Sequence, residues 1–300
     1  MLVALATFLG GMLGSFFNVV AWRVPRGMSV VHPPSHCPRC KTPIPFFRNV
    51  PVVTWLIQRG RCAVCGCEIP VRYVLVEAVC AAIGGAWCAL ALRGVWPDPA
   101  MAGGWIVLAM LGVPIALIDW DTFEIPDGLV VLTFLFAVLT RLALAESAVD
   151  HVSDVVSGAL LSAGLLYALS FGARVGLGWW GRLAHRILRT RRVTRQRHRA
   201  VFALFLRWSR FDQDTEALGL GDVSLALAAG AAVGFPAVAF GLPIAALLGV
   251  VGHLLRPRAR AIAQAREAGL DEQALPFGPF LVAGFLVASI LVSLELLPPG

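Results

Sequence analysis

PAMAGGWIVLAMLGVPIALIDWDTFEIPD, residues 99–127, decides how the whole chain is read. Residues 99–118 carry no Asp, Glu, Lys or Arg. That is about the 20 apolar residues an α-helix needs to cross a bilayer. Asp119, Asp121, Glu124 and Asp127 then crowd into DWDTFEIPD. Charge at a membrane segment costs about 2.5–3.5 kcal/mol per residue on insertion scales, so an acid held there marks a functional site. A second acidic signature, GLGD at 219–222, abuts the apolar run 223–255 in the same way.

Composition agrees with a membrane setting. The chain of 300 residues is 58% hydrophobic and 14% charged, with a mean hydropathy of +0.78. Soluble domains carry about 25% charged residues. Runs without Asp, Glu, Lys or Arg cover 1–22, 99–118, 128–140, 155–173, 223–255 and 273–294, and 78–92 joins them if Glu77 sits at an interface. The run 223–255 is long enough for two helices, with Gly-Phe-Pro at 234–236 as the turn. The fold class is therefore all-α, a polytopic membrane protein with about eight transmembrane helices.

A net charge of +7 raises nucleic acid as a partner. In a polytopic protein positive charge mainly sets topology, and no nucleic-acid partner is expected. The loops 23–73, 119–127, 174–217 and 256–272 hold 23 of the 25 Lys and Arg residues, against Arg93 and Arg141 in the alternate loops. The basic loops belong in the cytoplasm, which puts both termini outside. The first apolar stretch lacks a basic leader and a small-residue cleavage site, so it reads as a retained helix. Both acidic signatures then lie at the cytoplasmic face.

Three parts follow: a first transmembrane helix at 1–22, a small cytoplasmic domain at 23–73, and a membrane domain at 74–300. The last includes an Arg-rich cytoplasmic loop at 174–217. This loop either docks on anionic lipid headgroups or an acidic partner, or simply anchors the topology. Within it, VFALFLRW at 201–208 reads as an interfacial amphipathic helix in contact with membrane lipids.

The small domain carries CPRC, Cys37–Cys40, and CAVC, Cys62–Cys65. Two such knuckles can wrap one tetrahedral Zn²⁺, each giving two sulfurs from one tight turn, and Lys41 and Gly66 suit those turns. The alternative is redox-active cysteine pairs, which a cytoplasmic location disfavours. Cys67 reads as a bystander that could substitute as a ligand. Cys80 and Cys88 read as small core residues, and His32 and His36 as solvated loop residues.

Two carboxylates that meet at a membrane edge can share one proton and activate water. The ionised member takes a proton from water and the protonated member polarises the scissile carbonyl, while the two titrate as a unit. Asp119 directly follows an apolar run and Asp222 opens a helix after two permissive glycines. Asp121 and Glu124 read as solvated loop acids. Asp127, in IPDG, reads equally as a helix cap or a catalytic acid.

The order of motifs is specific. GSFFNVVAWRVPRG at 14–27, the two cysteine pairs, FFRNVPVVTW at 46–55, IPVRYVLVE at 69–77, DWDTFEIPD and GLGD occur in register. The chain thereby resembles the bacterial type IV prepilin peptidase family, membrane aspartic peptidases of the GxGD type that double as N-methyltransferases. The resemblance runs from about Gly14 to Leu255. It implies that Asp119 and Asp222 are catalytic and that Cys37, Cys40, Cys62 and Cys65 bind zinc. It implies prepilin or pseudopilin substrates, cleaved after a glycine at the cytoplasmic face of the inner membrane, and methylation of the new N-terminus with S-adenosylmethionine. Glu77 is a candidate for binding that cofactor, against a plainer role pairing with Arg72. Asn18 and Arg23 have no assigned role beyond the helix bridging common for intramembrane Asn. The Arg-rich loop lengthens the stretch between the two aspartates relative to the family. Two other readings stand beside this one: a peptidase without methyltransferase activity, and a membrane thiol oxidoreductase or zinc-stabilised scaffold.

Overall fold

The computed structural model describes residues 1–96, 98–145, 152–171, 219–255 and 275–296. The Arg-rich loop at 174–217, with its segment 201–208, and the loop at 256–272 lie outside the described residues. Each apolar run forms a helix. In chain order these are α1 (Leu2–Arg23), the short α2 (Val53–Ile57), α3 (Val71–Leu92), α4 (Pro99–Thr122) and α5 (Asp127–Ala143). They continue as α6 (Val152–Phe171), α7 (Leu220–Val233), α8 (Phe235–Leu255) and α9 (Gly278–Ser293). Among the described residues five are long and apolar enough to cross a membrane: α1, α3, α4, α6 and α8. α7 and α9 are shorter apolar helices.

Helix ends follow the sequence. Asp98 accepts hydrogen bonds from the backbone of Ala100 and Met101, capping α4. Gly234, with φ +79°, breaks the run 223–255 where the Gly-Phe-Pro turn is expected.

α7 is the centre of the bundle. Leu225, Ala226, Ala228, Ala229, Ala231 and Ala232 are completely buried. Lipid tails are as apolar as side chains, so helices associate through close van der Waals packing, which favours small residues. A methyl group at Gly104 of α4 would collide with the carbonyl of Ala232, and one at Gly230 would collide with the carbonyl of Gly158 in α6. α8 and α9 pack together and close the bundle with Leu242, Ala245, Leu281 and Phe285.

α1 and α3 form a second closely packed pair. A methyl at Gly14 would stand 2.8 Å from the Glu77 Cα. Asn18 donates to the Tyr73 carbonyl at 3.1 Å, the interhelical bridge expected of an intramembrane Asn. Phe17, Val76 and the buried Cys80 join Met110 of α4, which fixes the pair against the bundle.

One end of the bundle is locked by an ion pair whose arginine is buried. Arg141 of α5, 3% exposed, pairs with Asp154 of α6 and donates to the Ala232 carbonyl at 3.2 Å. Asp154 accepts from the Phe235 backbone at 3.0 Å. Arg141 is therefore a helix residue holding α5, α6 and the α7–α8 turn together, where the sequence reading counted it only as a loop charge.

Candidate active site

At the other end of the bundle three helix ends converge. Asp119 lies in the last turn of α4 and is 4% exposed. Its Oδ2 accepts a hydrogen bond of 2.8 Å from the backbone N–H of Gly278, the first residue of α9. A helix N-terminus presents unsatisfied N–H groups and partial positive charge, a natural seat for a carboxylate. Gly278 must be small here, because a Cβ would stand 2.9 Å from that same oxygen. Asp222 lies in the first turn of α7, where its Oδ2 accepts from the Gly219 N–H at 3.2 Å. Gly221 allows the loop after α4 to approach, with a Cβ there 3.1 Å from that of Ile125.

Asp119 and Asp222 line one cavity of about 470 Å³. Its walls include Val24 and Pro25 beyond α1, the segment from Phe123 to Asp127, and Gly219 and Gly221. Phe123, with φ +58°, ends α4 in the left-handed region and starts the segment that lines the cavity. The cavity is large enough for water and a stretch of peptide. Two carboxylates facing it from separate helices can divide acid and base roles.

The other acids of DWDTFEIPD separate. Asp121 is exposed and forms an ion pair of 2.7 Å with Arg72. That pair replaces the expected Arg72–Glu77 contact. Glu77 instead accepts from the Val52 backbone N–H at 2.8 Å, at a residue with φ +61°. Asp127 opens α5 without a capping hydrogen bond, the cap position being Pro126. It is exposed and lines the aspartate cavity together with Glu124.

Gly278 escaped the sequence reading. A glycine that contributes a backbone N–H from 159 positions away has no charge or spacing to betray it. The available signal was Phe-Gly-Pro at 277–279, an apolar run opened by a helix-start proline.

The cysteine knuckles sit in the segment between α1 and α3. The Sγ atoms of Cys37, Cys40, Cys62 and Cys65 all lie within 4.8 Å of one another. Zn–S bonds of about 2.3 Å give a tetrahedral S···S edge of about 3.8 Å. Cys37–Cys65 is 3.8 Å and Cys40–Cys62 is 4.0 Å, so the four residues fit Zn²⁺. The two turns match: Lys41 N–H donates to the Cys37 carbonyl and Gly66 N–H to the Cys62 carbonyl, each at 2.9 Å. Lys41 and Gly66 adopt φ +59° and +69°. The Cys40 backbone N–H chiefly holds the Cys37 thiol down to about 6, which favours the ligating thiolate. Cys67 is closer than a bystander, its Sγ 3.4 Å from that of Cys37. His36 turns its Nδ1 to the Pro34 carbonyl and is not part of the cluster.

Comparisons with known proteins cover both regions. Residues 8–91 match the Bacterial Peptidase A24 N-terminal domain, and residues 105–254 match the Type IV leader peptidase family. A prepilin leader peptidase/N-methyltransferase of Myxococcus xanthus is 36% identical over 57% of the chain and 47% of its own length. One from Klebsiella pneumoniae is 34% identical over 50% of the chain and 69% of its own length. A type 4 prepilin-like proteins leader peptide-processing enzyme of Escherichia coli is 29% identical over 97% of the chain and 94% of its own length. No solved structure matches the chain.

Proposed function

The chain belongs to the Type IV leader peptidase family, and from that premise we propose that Asp119 and Asp222 cut the leader from type IV prepilins or pseudopilins. The observation that carries this reading is their meeting in one cavity from the ends of α4 and α7. The ionised carboxylate takes a proton from water, and the water oxygen attacks the scissile carbonyl carbon. The protonated partner gives its proton to the carbonyl oxygen. The tetrahedral species collapses as a proton passes to the leaving amine. Gly278 N–H holds one oxygen of Asp119, so that carboxylate keeps its aim throughout.

The cut amine is then N-methylated with S-adenosylmethionine. The relatives' names, which join leader peptidase to N-methyltransferase, support that second step. Cys37, Cys40, Cys62 and Cys65 hold Zn²⁺, which closes the lobe between α1 and α3 and takes no part in hydrolysis. The excess of basic residues on the same loops supports a multi-pass inner-membrane protein with its aspartates on the cytoplasmic side and both termini outside. A basic leader would stay in the cytoplasm while the apolar segment behind it remains in lipid.

The test is cleavage of a prepilin by membranes containing Asp119→Asn or Asp222→Asn. Each variant should be inactive while reaching the membrane at normal abundance. Near-normal cleavage by either sinks the assignment.

A further inference from the structure

Between Arg48 and Arg59 the chain runs without charge through NVPVVTWLIQ, residues 49–58. An apolar stretch of about 10–14 residues is too short to span a bilayer and is a common length for a re-entrant or interfacial piece. The tip of this one is Pro51, which is buried against the middle of the α1–α3 pair. A methyl group at Gly11 of α1 would stand 3.3 Å from the Pro51 Cβ and 3.6 Å from the Ala81 Cβ of α3.

Those contacts fix a depth. α3 has 22 residues, about 33 Å at 1.5 Å per residue, and so just spans a hydrocarbon core of about 30 Å. Ala81 lies ten residues beyond Val71, about 15 Å along that axis. α1 gives the same figure. Trp22 stacks on Arg26, whose guanidinium carbon is 3.5 Å from the ring centre, as suits a membrane interface. Gly11 lies eleven residues before Trp22, about 16 Å away. Pro51 thus reaches the level of the bilayer's middle.

Irregular backbone is tolerated at that depth only where its polar groups are met. Here they are met locally. The N–H groups of Arg48 and Asn49 donate to the Pro45 and Phe46 carbonyls, and those of Thr54, Leu56 and Gln58 to the Val50, Val52 and Thr54 carbonyls. Pro51 has no N–H to satisfy. The Val52 N–H turns to the Glu77 carboxylate at 2.8 Å. Glu77 is the one charged residue between Arg72 and Arg93. An acid inside an apolar span calls for a role, and this hydrogen bond gives it one.

The side chains turned away from the helix pair are apolar. Phe46 is 88% exposed and Ile57 76%, and Phe47, Val53 and Leu56 are exposed beside them. Bare apolar patches of this kind mark an interaction surface. The same two helices carry exposed Met12 and Phe16 on α1 and exposed Leu75 and Val79 on α3, at neighbouring levels. Arg48 and Arg59, at the two ends of the uncharged stretch, have stems long enough to carry their charges to the headgroups.

We infer that residues 46–57 enter the cytoplasmic leaflet as a wedge beside α1 and α3, their exposed side chains facing acyl chains, on the reading above that these helices span the membrane. The stretch between the two cysteine pairs is then part of the membrane domain. Glu77 is the positioning residue that holds the tip of the wedge at its depth.

Depth-dependent quenching tests this. A fluorescent amino acid is placed at position 46, 53, 68 or 79 of the full-length protein, which is reconstituted in phosphatidylglycerol–phosphatidylethanolamine vesicles. Lipid brominated midway along its chains should quench positions 46, 53 and 79. Iodide should quench position 68, and its quenching constants at 46 and 53 should be about fivefold lower, because the bilayer core holds no water. Glu77→Leu should raise iodide quenching at 53 severalfold, and Glu77→Gln, which keeps an acceptor, should return it to the wild-type value, with zinc content confirming an intact lobe. Iodide quenching at 46 and 53 equal to that at 68, with 79 still quenched by the brominated lipid, overturns the wedge and leaves the spanning helices standing. Loss of lipid quenching at 79 as well overturns the spanning reading and the wedge with it. Lipid quenching at 46 and 53 that disappears when a prepilin is added overturns the lipid assignment in favour of a substrate-docking face. Quenching by neither reagent overturns it in favour of a second copy of the chain.

Discussion

The cysteine lobe and the aspartate cavity are built by opposite strategies. The lobe gathers its four sulfurs from two short turns no more than 28 positions apart. Its geometry is local, and its four sulfurs are spaced to fit a metal, the cohesion that a segment this small would not draw from a core. The aspartate cavity gathers Asp119, Asp222 and Gly278 from three helices, with 159 positions between the first and last. Its cohesion comes from glycines and alanines that let helices touch. One region should fail when an ion is removed, the other when a backbone contact is displaced.

The largest effect should come from zinc removal. Structural zinc in small domains contributes about 10–16 kcal/mol of apparent binding energy, which is folding energy. Stripping the protein with a strong chelator should open residues 24–70 to protease while α4 to α9 keep their helical circular dichroism. Joint collapse of both would break the contrast. Asp119→Asn or Asp222→Asn should do the reverse, lowering prepilin cleavage by about 10²–10⁴-fold, the usual worth of acid–base groups, with one zinc per chain by elemental analysis. Arg141→Met tests the far end of the bundle. Removing Arg141 leaves Asp154 without its partner and the Ala232 carbonyl without a donor, so thermal unfolding should shift downward without loss of the zinc.

Two milder variants sharpen the comparison. Gly278→Ala pushes a methyl against Asp119 and should lower the cleavage rate about tenfold, about 1.4 kcal/mol in barrier, in an otherwise folded protein. Cys65→Ser should hold zinc more tightly than Cys40→Ser in competition with a chromogenic chelator, because Cys67 already stands 3.4 Å from Cys37 and can take the vacated place. Equal loss of affinity in the two would return Cys67 to a bystander.

The same contrast explains what could be read from the chain. Apolar runs announce helices because a bilayer demands them, and cysteine pairs announce a knuckle because the ligand atoms are sequence neighbours. Asp119 and Asp222 stood out as acids at the ends of apolar runs. The contacts that hold them did not, because Gly278 acts through its backbone and Arg141 looked like one more loop charge until α5 was found to run to Ala143. Arg72 and Glu77 lie five positions apart, and near neighbours invite pairing. Each found its partner elsewhere, Asp121 and Val52, once α3 was placed beside α4 and the lobe.

The glycine contacts of α7 have a bearing on where a substrate is cut. Gly230 is keyed against Gly158, and Ala232 against Gly104. Asp222 lies eight residues before Gly230 on the same helix, about 12 Å at 1.5 Å per residue. A helix keyed on two sides can neither slide nor roll. The position of Asp222 along the bundle is therefore set from about two turns further down its own helix, by contacts that touch neither aspartate.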